Sequence, residues 1–157
     1  TLDLYHTFLY CQSKRGCESV VEQSFHINSD YGNVALVNKQ IRFFLELHGI
    51  EQHISHAVEI CLTEALNNVI KHSYQSDNKK SIELIVKKDA GYFEIIIIDN
   101  GLPKENLAVS KLDFDPQDIN NLPESGMGLY IIEQLMDEMK YYTQDGKNYF
   151  SLKKWLI

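Results

Sequence analysis

Glu64, Asn68 and His72 recur every fourth residue, so on a helix they share one face, with Asn67 and Lys71 beside them. A carboxylate one turn from a carboxamide could supply a general base and an oxygen ligand for a hard cation such as Mg²⁺. The solvated face of an ordinary surface helix carries the same residue types, and spacing alone leaves both readings open. Asp99-Asn100-Gly101 follows the run Ile95 to Ile98, which puts an aspartate near the floor of a core. An unpaired carboxylate there is costly, so Asp99 needs a partner: the exocyclic amine of a ligand, or a backbone donor in a plain Asp-Asn-Gly turn. Gly126-Met127-Gly128 opens an apolar helical run, where glycines would let a phosphate reach the exposed amides of a helix N-terminus. A bare loop-to-helix junction reads the same way. His53 and His56 lack the further spacing of a zinc protease site and read as helix surface.

These residues need elements to hold them. SFHI, from Ser24, reads as a short strand, punctuated by NSDYG. Val34, Val37, Ile41 and Leu45, with His48, predict a helix over about 33–48, stopped by Gly49. A second helix over about 52–73 has Val58, Cys61, Leu62, Ala65, Leu66 and Val69 as its apolar face. Ile82, Leu84 and Val86 alternate with Glu83 and Lys87, which predicts a strand, and Asp89-Ala90-Gly91 turns into a second strand over Tyr92 to Ile98. That strand is apolar on both faces and so belongs in the middle of a sheet. A third helix is expected from near Gly128 through Met136, then a strand from about Lys140, a hairpin turn at Asp145-Gly146, and a last strand from Tyr149 to Trp155. Residues 100–125 contain Pro103, Pro116 and Pro123 and no convincing element. So long a loop between a buried strand and a glycine-rich helix start reads as a lid. Residues 1–23 are a weakly patterned arm with no role assigned to them.

The chain of 157 residues is one domain's worth, and 44% hydrophobic residues suffice for a core without staples. Fifteen Lys and Arg against 22 Asp and Glu give a formal charge of −7, which disfavours nucleic acid and anionic membrane as partners. A phosphate ligand stays open, because backbone amides hold anions without a basic patch. The longest aliphatic run, Ile95 to Ile98, falls far short of the roughly 20 residues that span a bilayer. No signal-peptide pattern opens the sequence. Cys11, Cys17 and Cys61 show no CxxC spacing, which argues against a disulfide scaffold or zinc knuckle. A cytoplasmic location is expected.

The order of the boxes is more specific than any one of them. A helix with Glu-x-x-x-Asn, a hairpin, a strand ending Asp-x-Gly, a long lid and GxG opening a helix resembles the GHKL (histidine-kinase-like) ATPase superfamily. ICLTEALNNVIKHSY (60–74) resembles the N box of its bacterial anti-sigma-factor serine kinases, the RsbW and SpoIIAB group. IIIIDNGLP (95–103) resembles their DxGxP box, and SGMGLYIIEQLMDEMKYY (125–142) their GxGLxII-x-x-LMDEV segment. The likeness runs over about residues 24–155.

The resemblance implies an α+β fold: a two-layer α/β sandwich of the Bergerat type, with a mixed, mostly antiparallel sheet, helices on one face and an ATP lid at about 102–125. The domain would span 24–157. It also implies roles. Asn68 would coordinate Mg²⁺ bridging the ATP phosphates, and Glu64 would act as base for an attacking serine hydroxyl. Asp99 would accept the adenine amino group, with Gly101 permitting close approach of the base. Gly126, Met127, Gly128 and Leu129 would line the phosphates through their amides, with Lys71 and His72 near the phosphate end. The implied function is an ATP-dependent serine/threonine protein kinase that phosphorylates a STAS-domain antagonist in a partner switch with a sigma factor, as a homodimer. An ATP-dependent binding module without kinase activity and the catalytic domain of a sensor histidine kinase are the rival readings. This chain departs from the family pattern at Pro103, at the displaced Phe114-Asp115-Pro116 of the lid, and at Lys147-Asn148, where Gly-Thr commonly stands beside adenine. Arg42 is the one arginine in the core, so no catalytic arginine is identified.

Overall fold

The computed structural model describes residues 20–104 and 127–156. The first strand, β1 (Val21–Asn28), starts three residues before the expected boundary and pairs with β2 (Ser81–Lys88) along its length. Two helices lie between them in sequence: α1 (Tyr31–Leu47) and α2 (Gln52–Asn68). Asp30 caps α1, its carboxylate accepting from the Gly32 N–H at 2.8 Å, which starts the helix three residues before the apolar stripe does. Gly49, at φ +85°, ends it as expected, since a side chain there would be strained.

The hairpin of β2 and β3 (Tyr92–Asp99) is followed, across residues outside the described set, by α3 (Met127–Leu135), then β4 (Glu138–Gln144) and β5 (Lys147–Trp155). The strand order is β1-β2-β3-β5-β4, and the sheet expected to be mostly antiparallel is antiparallel in each described pairing. β3 is central, as its two-sided apolarity predicted. Asp145 and Gly146 both have positive φ, the conformation a tight β4–β5 hairpin requires.

One face of the sheet is apolar and carries the core. Phe25, Ile27, Leu84, Val86, Phe93, Ile95, Ile97 and Leu152 meet Val37, Ile41, Leu45, Cys61, Leu62, Leu66 and Ile132 from the helices. Each such side chain, fully buried, contributes on the order of 1.5–3 kcal/mol. Burial pushes the Cys61 thiol up to about 11, so it behaves as a small apolar residue. The opposite face presents a cross-strand row, Glu22, Lys87, Glu94, Lys153 and Glu138, whose charges alternate at every strand.

α1 and α2 run antiparallel and are tied by three polar rungs, one helical turn apart. Asn38 donates to the Thr63 hydroxyl at 2.8 Å, Arg42 to Glu59 at 3.0 Å, and Ser55 to Glu46 at 2.7 Å. Arg42 is therefore a structural residue of the helix pair. No described helix is long and apolar enough to cross a membrane.

Candidate functional site

The second helix does not continue regularly to Ser73. After Asn68 it widens into a π-helical turn, Val69–Ser73, in which Tyr74 N–H reaches the Val69 carbonyl. Such turns insert a residue and are frequent at functional sites. Here the widening swings Ser73 and Tyr74 towards the end of β3. The Ser73 carbonyl accepts from Leu102 N–H at 2.9 Å, and its hydroxyl donates to Asp99 Oδ1 at 2.5 Å. The Tyr74 hydroxyl contacts Ser81 O at 2.5 Å and Asn100 Oδ1 at 2.8 Å, and accepts from Asn100 N–H at 3.0 Å. Burial pushes the Tyr74 phenol up, consistent with a structural pin.

Asp99 is buried at 6% exposure, and it has partners as its position demanded. Besides Ser73, its Oδ1 accepts from Gly101 N–H at 2.9 Å and from Asn148 Nδ2 at 2.8 Å. Asp99 closes an Asp-Asn-Gly turn through Oδ1 and also lines a cavity. Gly101 is required by the chain itself, because a Cβ there would overlap the Ser73 carbonyl.

The cavity, about 220 Å³, is bounded by Ala65, Asn68, Val69, His72 and Ser73 on the helix side, Asp99, Leu102, Pro103 and Lys104 on another, and Leu129, Tyr141 and Phe150 opposite. Asn68 and His72 line it, as their shared face predicted; Lys71 is exposed and lies outside the lining. Leu129 reaches it from the first turn of α3. Gly128 seats that helix against α2: a Cβ at this position would fall 2.8 Å from Glu64 Oε2, with Asn68 Nδ2 at 3.5 Å. The amides of Met127, Gly128 and Leu129, in the first turn of α3, therefore begin beside the Glu64–Asn68 pair. Gly126 and the segment Phe114-Asp115-Pro116 lie outside the described residues.

Lys104 and His72 line the cavity, and Lys71 lies close enough to act on His72. Burial, then the Lys104 and Lys71 ammonium groups, hold the His72 imidazole below its usual range. Burial holds Lys104 below the ordinary lysine value. An anion entering here would meet positive charge that makes no ion pair with the described residues.

Sequence reasoning missed Ser73, Asn148, Lys104 and Tyr141. Ser73 depends on the π turn, which no periodicity announces. Asn148 left a usable signal: it sits in register with inward-facing Phe150 and Leu152, so a carboxamide there needed partners. It also occupies the place noted as a departure from Gly-Thr. Lys104 and Tyr141 meet through the Lys104 N–H and the Tyr141 hydroxyl, 2.8 Å apart, a contact between segments distant in sequence.

The family model described as histidine kinase-like ATPase domain matches residues 27–154, and the chain belongs to that family. Among curated proteins it is similar to the serine-protein kinase RsbW of Bacillus mycoides, 33% identical over 93 residues, covering 57% of each chain. It is also similar to RsbW of Listeria monocytogenes, 30% identical over 95 residues, covering 57% of this chain and 59% of that one. The match thus spans little more than half the length of these relatives. Two solved structures share the fold at 17% identity. One contains the RsbU and RsbW domains of Rv1364c from Mycobacterium tuberculosis, with a TM-score of 0.59 over 83% of this chain and 32% of that chain. The other is the SiaB-SiaC complex from Pseudomonas aeruginosa, with a TM-score of 0.53 over 85% and 89%.

Proposed function

We propose that this protein is an ATP- and Mg²⁺-dependent serine/threonine protein kinase of the anti-sigma-factor type, acting on a STAS-domain antagonist. The observation that carries the reading is the packing of Gly128 on Glu64 and Asn68, beside a cavity that Asp99 lines. This arrangement has a base candidate, an oxygen ligand and a helix N-terminus at one end of the cavity and a buried carboxylate elsewhere in its wall. Phosphoryl transfer needs little more than positioning and charge neutralisation.

In this reading Asp99 Oδ2 accepts from the adenine amine, and the first amides of α3 take the phosphates. Glu64 removes the proton of the substrate serine as its oxygen bonds to the γ-phosphorus and the bond to the β–γ bridging oxygen breaks, releasing ADP. No described cluster of three His, Cys, Asp or Glu could hold a metal by itself. The lone Asn68 carboxamide instead fits Mg²⁺, which is bound by few protein oxygens together with substrate phosphates. When bound, the ion would neutralise charge on those phosphates.

A cytoplasmic homodimer that exchanges its antagonist for a sigma factor completes the reading. Leu36, Phe43 and Leu47, all exposed on α1, support a second copy as occupant of that face. The resemblance to RsbW and to SiaB, solved with SiaC, supports protein partners. The test is incubation with ATP, Mg²⁺ and the cognate antagonist: stoichiometric phosphoserine is expected, and its absence at equimolar enzyme overturns the kinase. A second reading, an ATP-dependent binding module, is favoured by one observation: no arginine lines the cavity among the described residues. It predicts an ATP-dependent complex with the antagonist and no phosphoserine.

A further inference from the structure

We propose that Ser73 and Asn148 are positioning residues that set base selectivity, by turning the Asp99 carboxylate so that one oxygen alone is offered to an exocyclic amine. The inference rests on the nucleotide reading above. Oδ1 of Asp99 accepts from Ser73 Oγ at 2.5 Å, Asn148 Nδ2 at 2.8 Å and Gly101 N–H at 2.9 Å. Three donors on one oxygen already exceed its two lone-pair directions, so no ligand atom can bind there. Oδ2 takes no hydrogen bond from the described residues, although the side chain is buried and lines the cavity. Oδ2 is thus the oxygen left to accept from a group that enters the cavity, and the ligand that suits it is one that brings a donor. An amino-substituted purine does. A purine with a carbonyl at the same place sets acceptor against acceptor.

The torsion that decides which oxygen faces the cavity is soft in aspartate, with a broad, roughly two-fold profile. It needs holding from outside, and the two side chains do this from opposite sides. Asn148 stands on β5 directly opposite Asp99 in the strand register. Its own carboxamide is fixed, with Nδ2 also 3.1 Å from the Gly101 carbonyl and Oδ1 accepting from Thr143 at 3.0 Å. Ser73 comes from the π turn, where the Leu102 N–H bonded to its carbonyl holds its backbone. Neither role follows from the Asp-x-Gly box.

The experiment measures the affinities of the full chain for ATP and ITP, with Mg²⁺, by competition against a fluorescent nucleotide. ITP replaces the 6-amino group with a carbonyl. Wild type should prefer ATP by about 100-fold or more, as expected of a site built to hydrogen-bond the missing group. Asn148→Leu and Ser73→Ala should each lower the ATP/ITP ratio about tenfold, with ATP weakened and ITP within about twofold of wild type. Asn148→Thr, which returns a donor hydroxyl, should recover most of the ratio. Ser73→Ala removes a single oxygen and keeps the test decisive if Asn148→Leu does not fold. Equal weakening of both nucleotides, or an unchanged ratio in Ser73→Ala, overturns the inference. A wild type that binds ATP and ITP alike instead removes the adenine role of Asp99, a failure distinct from that of its two holders.

Discussion

Two polar triplets with identical spacing run along α2 and the π turn that follows it, and they end up in opposite situations. Ser55, Glu59 and Thr63 face α1, and each has its partner there, at 2.7, 3.0 and 2.8 Å. Glu64, Asn68 and His72 face α3 and the cavity, and make no side-chain hydrogen bond or ion pair with described residues. Residue type and period do not separate the two; the neighbour does. A polar stripe whose partners are built into the chain fixes the helix pair. The same stripe without partners is the one proposed to meet nucleotide and Mg²⁺.

The open triplet should break function without breaking the fold. Asn68→Ala is expected to lower Mg²⁺-dependent nucleotide affinity by about 100-fold or more. Glu64→Ala should keep affinity within about threefold and lose about 10²–10⁴-fold in phosphotransfer, the usual size of a general-base contribution. Titration with nucleotide and a phosphotransfer assay read the two effects apart. Melting temperatures of both variants should stay within about 2 °C of wild type, because no protein partner is left behind. Unchanged turnover in Glu64→Ala would remove it as the base.

Gly128→Ala tests the junction between α3 and the open triplet. Alanine in a helix is worth about 1 kcal/mol over glycine, but the new methyl would sit 2.8 Å from Glu64 Oε2 and 3.4 Å from its Cβ. The side chain or the helix must shift, so nucleotide affinity should fall about tenfold with little or no gain in stability. A variant that is stabilised and binds normally would show that α3 is not seated on Glu64.

Much of the fold was legible because its elements are locally consistent. The Gly49 stop, the Asp145-Gly146 hairpin and the two-sided apolarity of β3 each come from short-range chemistry, and each is where it was expected. The π turn was not legible, since Val69 continues the apolar face of the helix and nothing in its type announces a wider turn. The boxes Glu64-Asn68, Asp99 and Gly128 could be read, yet their meeting is a tertiary fact. Gly101 was read for its room for a ligand, while its close approach to the Ser73 carbonyl, which no local pattern announces, also demands glycine. Arg42 was the one candidate arginine, and only the helix pair shows it bonded to Glu59.

The closed triplet should show the reverse of the open one, at smaller size. Arg42→Ala breaks a pair about one third exposed on both sides, so about 0.5 kcal/mol is expected. Asn38→Ala loses a buried hydrogen bond but also removes an orphaned Oδ1, for about 1 kcal/mol net. Denaturant midpoints should record both losses while nucleotide affinity and phosphotransfer stay at wild-type values. If Arg42→Ala instead abolished phosphotransfer, the line between the two stripes would be drawn in the wrong place.

The smallest effect belongs to His72, and it separates the triplets by linkage. Burial, followed by Lys104 and Lys71, lowers its affinity for a proton in the folded chain. The unfolded chain therefore takes up the proton first as pH falls through about 6.5, and the apo protein should lose a little stability there that it keeps at higher pH. A polyphosphate near the same imidazole reverses the sign, since negative charge favours the protonated ring. Nucleotide binding near pH 6 should thus draw a fraction of a proton from solvent, read by calorimetry in two buffers of different ionisation enthalpy. His72→Gln should abolish that uptake and leave affinity at pH 8 nearly unchanged. Uptake that persists in His72→Gln would assign the proton elsewhere and detach His72 from the phosphate end. The rung residues have no such coupling to a ligand, because their charges are already answered within the chain.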